Sequence, residues 1–85
     1  MILIYKELIK KYIKCLTPQD IKEYALSQNI ELTNYELNII YNFILKYYND
    51  LLNKDDTPLI KLKDHLNKDL YNKIISLYNT YKIYI

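Results

Sequence analysis

Apolar residues recur along this chain at three- and four-residue intervals, the period of helices that pack on one face. Residues 2 to 16 set Tyr5, Leu8, Ile9, Tyr12, Ile13 and Leu16 on one arc of a first helix, with Lys6, Lys10, Lys11 and Lys14 on the other. Thr17-Pro18-Gln19-Asp20 then supplies an N-cap hydroxyl, a proline at the first helical position and an acid beside the positive end of the helix dipole. A second helix is therefore expected from Pro18, with Ile21, Tyr24 and Ala25 turned inward. It should end near Asn29, because asparagine tolerates the left-handed conformation that closes helices. Ile30-Glu31-Leu32 reads as a short extended link.

Thr33-Asn34-Tyr35-Glu36 is a capping box, and Leu32 and Leu37 are spaced to form the hydrophobic staple around it. The third helix, about 34 to 53, carries a broad apolar arc of Leu37, Ile40, Tyr41, Ile44, Leu45, Tyr48, Leu51 and Leu52, widened by Ile39, Phe43 and Tyr47. Asn38, Asn42, Lys46, Asn49 and Asn53 form its solvent stripe. Thr57-Pro58 repeats the cap-and-proline signature, so a short fourth helix is predicted at 58 to 66, with Leu59, Leu62 and Leu66 inward. The run Leu59 to Lys63 also alternates as a brief strand would. Asn67 caps a fifth helix, about 68 to 82, burying Leu70, Tyr71, Ile74, Ile75, Leu77, Tyr78 and Tyr81. The pattern predicts an all-α fold: one helical domain, 1–85, forming a bundle of four or five helices around residues 34 to 53.

Composition narrows what such a bundle does. Hydrophobic residues at 51% against 26% charged exclude a disordered chain, since enough apolar surface is present to offset chain entropy. Glycine is absent, which removes P-loops and glycine-rich dinucleotide turns. All 12 basic residues are lysines, so the chain has no guanidinium fork for bidentate recognition of guanine or phosphate. The abundance of Lys, Asn, Ile and Tyr is what AT-rich codons produce, and a low-GC genome is expected. Cys15 is the single cysteine, no secretory signal pattern opens the chain, and no apolar run approaches the length of a membrane span. A cytoplasmic protein without a membrane span is the expectation.

Candidate chemistry is sparse. Cys15 and His65 are the only nucleophile and imidazole, and no orienting group or oxyanion site accompanies them, so no catalytic site is assigned. Cys15 reads as a small residue at the edge of an apolar face, and His65 as a surface histidine with Asp69 as an i,i+4 partner. Asp55, Asp56, Asp64 and Asp69 lack the alternating spacing and bend glycine of a calcium loop, and zinc would need more Cys or His. No metal or cofactor is expected, and Asp55 and Asp56 are read as favouring the start of the fourth helix.

Partners are the remaining question. Residues 1 to 16 hold four lysines against Glu7, net +3, while 17 to 36 hold Lys22 against Asp20, Glu23, Glu31 and Glu36, net −3. Lys6, Lys10, Lys11 and Lys14 form a basic face that reads first as solvated, with nucleic acid or anionic lipid as alternatives. Tyr47, Tyr48, Tyr78, Tyr81 and Tyr84 lie toward the ends of the third and fifth helices and form a candidate interface, for a second copy or a helical partner. The competing reading is that these rings finish a monomeric core, with Ile83 and Ile85 folded back over them. The favoured function is a protein–protein interaction or structural module without catalysis.

The run "LTPQDIKEYALSQNIELTNYELNIIYNFI", from Leu16 to Ile44, resembles a family of short proteins from Bacillus and its relatives, the domain-of-unknown-function family 2624. The shared features are a Thr-Pro-started helix, an Ile-x-Leu-Thr link and a longer helix, and the likeness extends to the closing "LYNKIISLY" helix. The resemblance implies an all-helical bacterial cytosolic protein with no assigned activity. The same run is also similar to the helix, extended loop, helix unit of the SAP type, which implies DNA binding. Modules of that kind meet phosphates with cations near the loop, yet none stands between Lys22 and Lys46, where Glu31 and Glu36 occur. Nucleic-acid binding is accordingly the alternative function.

Overall fold

A computed structural model describes residues 2–82, with side chains described for 7–80 and for Lys82. The chain is all-α: α1 (Ile2–Lys14), α2 (Pro18–Ser27), α3 (Asn34–Leu52), a 3₁₀ helix (Thr57–Leu62) and α4 (Lys68–Tyr81), with no strand among the described residues. At 1.5 Å per residue α3 is about 28 Å long. That is comparable with the molecule's longest extent of 35 Å.

Local chemistry fixes most helix starts. The Thr33 hydroxyl accepts from the Glu36 N–H at 3.1 Å, and the Glu36 carboxylate accepts from the Thr33 N–H at 2.8 Å. Thr17 and Asp20 close the same reciprocal pair at 3.2 and 2.9 Å. Two otherwise unpartnered N–H groups are satisfied at each site, and both acids also face the positive end of their helix. Asn67 Oδ1 accepts from the Leu70 N–H at 2.8 Å and starts α4.

Helix ends are made without glycine. Asn29 has φ 61°, which lets the Ile30 N–H reach the Ala25 carbonyl at 2.8 Å and the Asn29 N–H reach Leu26 at 3.0 Å. Lys54 repeats the motif after α3 with φ 63°, so that Asp55 N–H bonds the Asp50 carbonyl at 2.9 Å. These are Schellman closures. Asparagine takes the left-handed position readily, whereas at Lys54 the Cβ costs roughly 1–2 kcal/mol that a glycine would avoid.

The predicted fourth helix is a correction. Residues 57–62 form a 3₁₀ helix, Thr57 lies inside it, and no side chain caps its start. Instead the Asp55 carboxylate accepts from the Thr57 N–H at 3.1 Å. Hydrogen bonding from the Thr57 side chain and backbone holds the Asp55 carboxyl below its ordinary pKa. Three residues per turn stack Leu59 directly over Leu62, and both are buried with Pro58 while Ile60 and Lys61 face out. The alternation at 59–63 therefore marks neither a strand nor a full α-helix.

The core lies on one side of α3. Phe43, Leu59, Leu62, Leu66 and Leu70 form one buried cluster, with Ile30, Leu32, Leu51, Tyr71, Ile74, Ile75 and Tyr78 among the residues packed around it. Leu62, only 2% exposed, is its centre. The Tyr78 hydroxyl donates to the Leu51 carbonyl at 3.0 Å and ties α4 to the end of α3. Burial and the carboxylates of Asp56 and Asp55 push the Tyr78 phenol up from its usual pKa.

α1 departs from its expected packing. Ile9, Ile13 and Leu16 are half-buried, and the Tyr41 hydroxyl donates to the Leu16 carbonyl at 3.3 Å. Leu8 and Tyr12, expected inward, are 57% and 64% exposed. Tyr24 of α2, also expected inward, is exposed, so α2 buries Ala25 and half-buries Ile21. The cause is geometric: α3 is the main neighbour of α1, and one main neighbour covers only a narrow stripe of a helix.

Candidate functional site

The candidate residues fall on three surfaces. On α1, Lys10 pairs with Glu7 at 3.8 Å, and Lys11 and Lys14 are exposed in the last turn, where their charge suits the negative end of the dipole. The side chain of Lys6 lies outside the described residues. Lys73 pairs with Asp69 at 3.2 Å, the only other ion pair among the described residues. Asp69 thus serves Lys73 rather than His65, which corrects the expected His65–Asp69 pair. The opposite net charges of 1–16 and 17–36 are not joined by any ion pair among the described residues.

The tyrosines divide. Tyr47 packs on Phe43 with ring centroids 5.0 Å apart at 43°, at the edge of the core, and Tyr78 is held by its bond to Leu51. Tyr48 is half-buried. Tyr84, the Tyr81 side chain, and Ile83 and Ile85 lie outside the described residues. Within the described part, Tyr47 and Tyr78 both use their apolar area in the folded chain, as half-buried rings at a core margin do.

Large apolar side chains stand exposed elsewhere. Besides Leu8, Tyr12 and Tyr24, these are Leu26 on α2, Tyr35 at the start of α3, Leu45 and Ile60. Periodicity places Leu8 and Tyr12 in the core, and the signal against that is the shortage of partners: six buried leucines and Phe43 are already committed to α3, the 3₁₀ helix, the turn after it and α4.

The third surface is a shallow groove of about 270 Å³ between α3 and the 3₁₀ helix. Its floor is Phe43, Leu62 and Ile39, and its rim carries Asn42, Lys46, Lys61 and His65 beside Tyr47. Lys46 Nζ and Lys61 Nζ lie 5.4 and 5.6 Å from the centroid of the Tyr47 ring. Cys15 is exposed on the link after α1, and no group of three or more His, Cys, Asp or Glu is placed to hold a metal among the described residues. No described helix is long and apolar enough to cross a membrane. No family model matches the chain, and no curated protein or solved structure is significantly similar to it.

Proposed function

We propose that this chain is a non-catalytic cytoplasmic interaction module that pairs with a second copy of itself, α1 of each copy lying on the acidic α2 and α3-start region of the other. The observation that carries the reading is the distribution of exposed apolar side chains over two oppositely charged segments. Leu8 and Tyr12, one turn apart on α1, sit in the segment of net +3, while Leu26 and Tyr35 sit in the segment of net −3. Pairing α1 with α1 would set lysine against lysine. Pairing α1 with the acidic segment joins opposite charges around apolar centres, and a two-fold axis repeats the contact and closes the assembly.

Apolar residues exposed one turn apart, on a helix whose main neighbour is α3, form a surface suited to cover by another chain. Sedimentation equilibrium of the full chain in the micromolar range tests the reading. A dimer is expected, weakened by Tyr12→Ser and by added salt, with helix content unchanged in the variant. A clean monomer across that range would overturn the proposal.

A further inference from the structure

We infer that the groove between α3 and the 3₁₀ helix is a binding site for a small phosphomonoester, with the phosphate held by Lys46 and Lys61 and the apolar part of the ligand resting on Phe43 and Leu62. The inference is independent of the pairing through α1, because the groove draws none of its lining from α1 or α2.

Two ammonium groups from separate elements converge here on one ring. Each lies within 6 Å of the Tyr47 centroid, close enough for the electron-rich face of the phenol to attract it. Among the described residues neither is in an ion pair, and no carboxylate lines the groove. Two ammonium groups lining one groove raise its potential, and a dianion is drawn to it more than a monoanion is.

The donor chemistry selects among anions. A lysine is a point charge with three donors, suited to a tetrahedral oxyanion, whereas planar carboxylates are best met by the guanidinium fork that this chain lacks. Asn42 and His65 add side-chain hydrogen-bonding groups on the rim. The floor is hydrocarbon, so the ligand has an apolar or aromatic body as well as its phosphate. Pockets for drug-sized ligands run to about 300–1,000 Å³. At about 270 Å³ this groove suits a ring with one phosphate rather than a larger molecule.

Phenyl phosphate is a suitable probe, titrated into the full-length protein and followed by amide chemical shifts. Shifts confined to residues around Asn42, Lys46, Lys61 and His65 are expected, at millimolar ligand or below. Lys46→Gln and Lys61→Gln should each weaken binding about tenfold, the loss of one charge-assisted contact. Lys73→Gln, at a lysine paired with Asp69 and outside the groove lining, should leave it unchanged. Benzoate binding as tightly as phenyl phosphate would overturn the phosphate assignment. Equal losses from Lys73→Gln, or shifts spread over every lysine-bearing surface, would show general charge attraction and overturn the site. Binding of a single-stranded oligonucleotide without measurable binding of the monoester would overturn it in favour of a polymer.

Discussion

α4 and α1 are both amphipathic helices of similar length, 14 and 13 residues, and both lie against α3, yet they meet different fates. α4 has a side-chain cap at Asn67, an acid in its first turn, a buried Leu70 and a hydroxyl tie from Tyr78 to Leu51. α1 has no acid in its first turn, contributes none of its described side chains to the buried cluster, and leaves Leu8 and Tyr12 in solvent. The difference lies in what faces each helix. α4 closes a layer in which the 3₁₀ helix, the turn after it and α3 already present Leu59, Leu62, Leu66 and Phe43, whereas α1 has α3 as its main neighbour. An apolar stripe states which face of a helix seeks cover, and the number of neighbours decides whether it is covered within the chain.

The largest expected contrast follows from that layer. Leu62→Ala removes the most buried side chain and should lower stability by about 3 kcal/mol in urea unfolding, while Ile13→Ala on α1 should lower it by about 1 kcal/mol. Equal losses would dissolve the distinction between the two regions. Next in size, Thr33→Ala should cost about 1 kcal/mol by releasing the N-cap of α3. Thr80→Ala should change little, since the Thr80 hydroxyl only bonds back to the Ser76 carbonyl at 2.9 Å within an intact helix.

An effect smaller than that of Thr33→Ala is expected at Tyr78. Tyr78→Phe forfeits the bond to Leu51 and should lower stability at neutral pH by about 0.5–1 kcal/mol. Because the folded-state phenol holds its proton above the usual pKa of about 10, its contribution is complete below that pH and disappears as pH rises through the raised value. Denaturant midpoints of the two proteins should therefore converge at alkaline pH. A gap that widened with pH would contradict the placement of Tyr78 beside Asp56 and Asp55.

Much of the architecture was legible in the sequence because it is written in local chemistry. Thr33 with Glu36, Thr17 with Pro18 and Asp20, Asn67, and Asn29 at the end of α2 each act within a few residues, and each stands where the spacing indicated. The segment after α3 was less legible: Leu59 and Leu62 share a face in either helical geometry, and only the packing of Pro58, Leu59 and Leu62 selects three residues per turn. The exposure of Leu8, Tyr12 and Tyr24 was hidden from periodicity, which carries no information about how many neighbours a face finds. The pairing of Lys46 and Lys61 on Tyr47 was hidden for a related reason, since Lys61 comes from a different element and reaches the ring only after the 3₁₀ helix has packed on α3.

Amide hydrogen exchange read at two protein concentrations bears on both the weak packing of α1 and its cover by a second copy. In dilute protein, residues 8–14 should exchange by local opening, far faster than residues 40–51 of α3 and 70–78 of α4. Raising the concentration into the dimer range should slow 8–14 and leave the other two segments as they were. Protection of 8–14 equal to that of 40–51 in dilute protein, unchanged by concentration, would contradict the division of the molecule into a self-sufficient layer and a helix that awaits its partner.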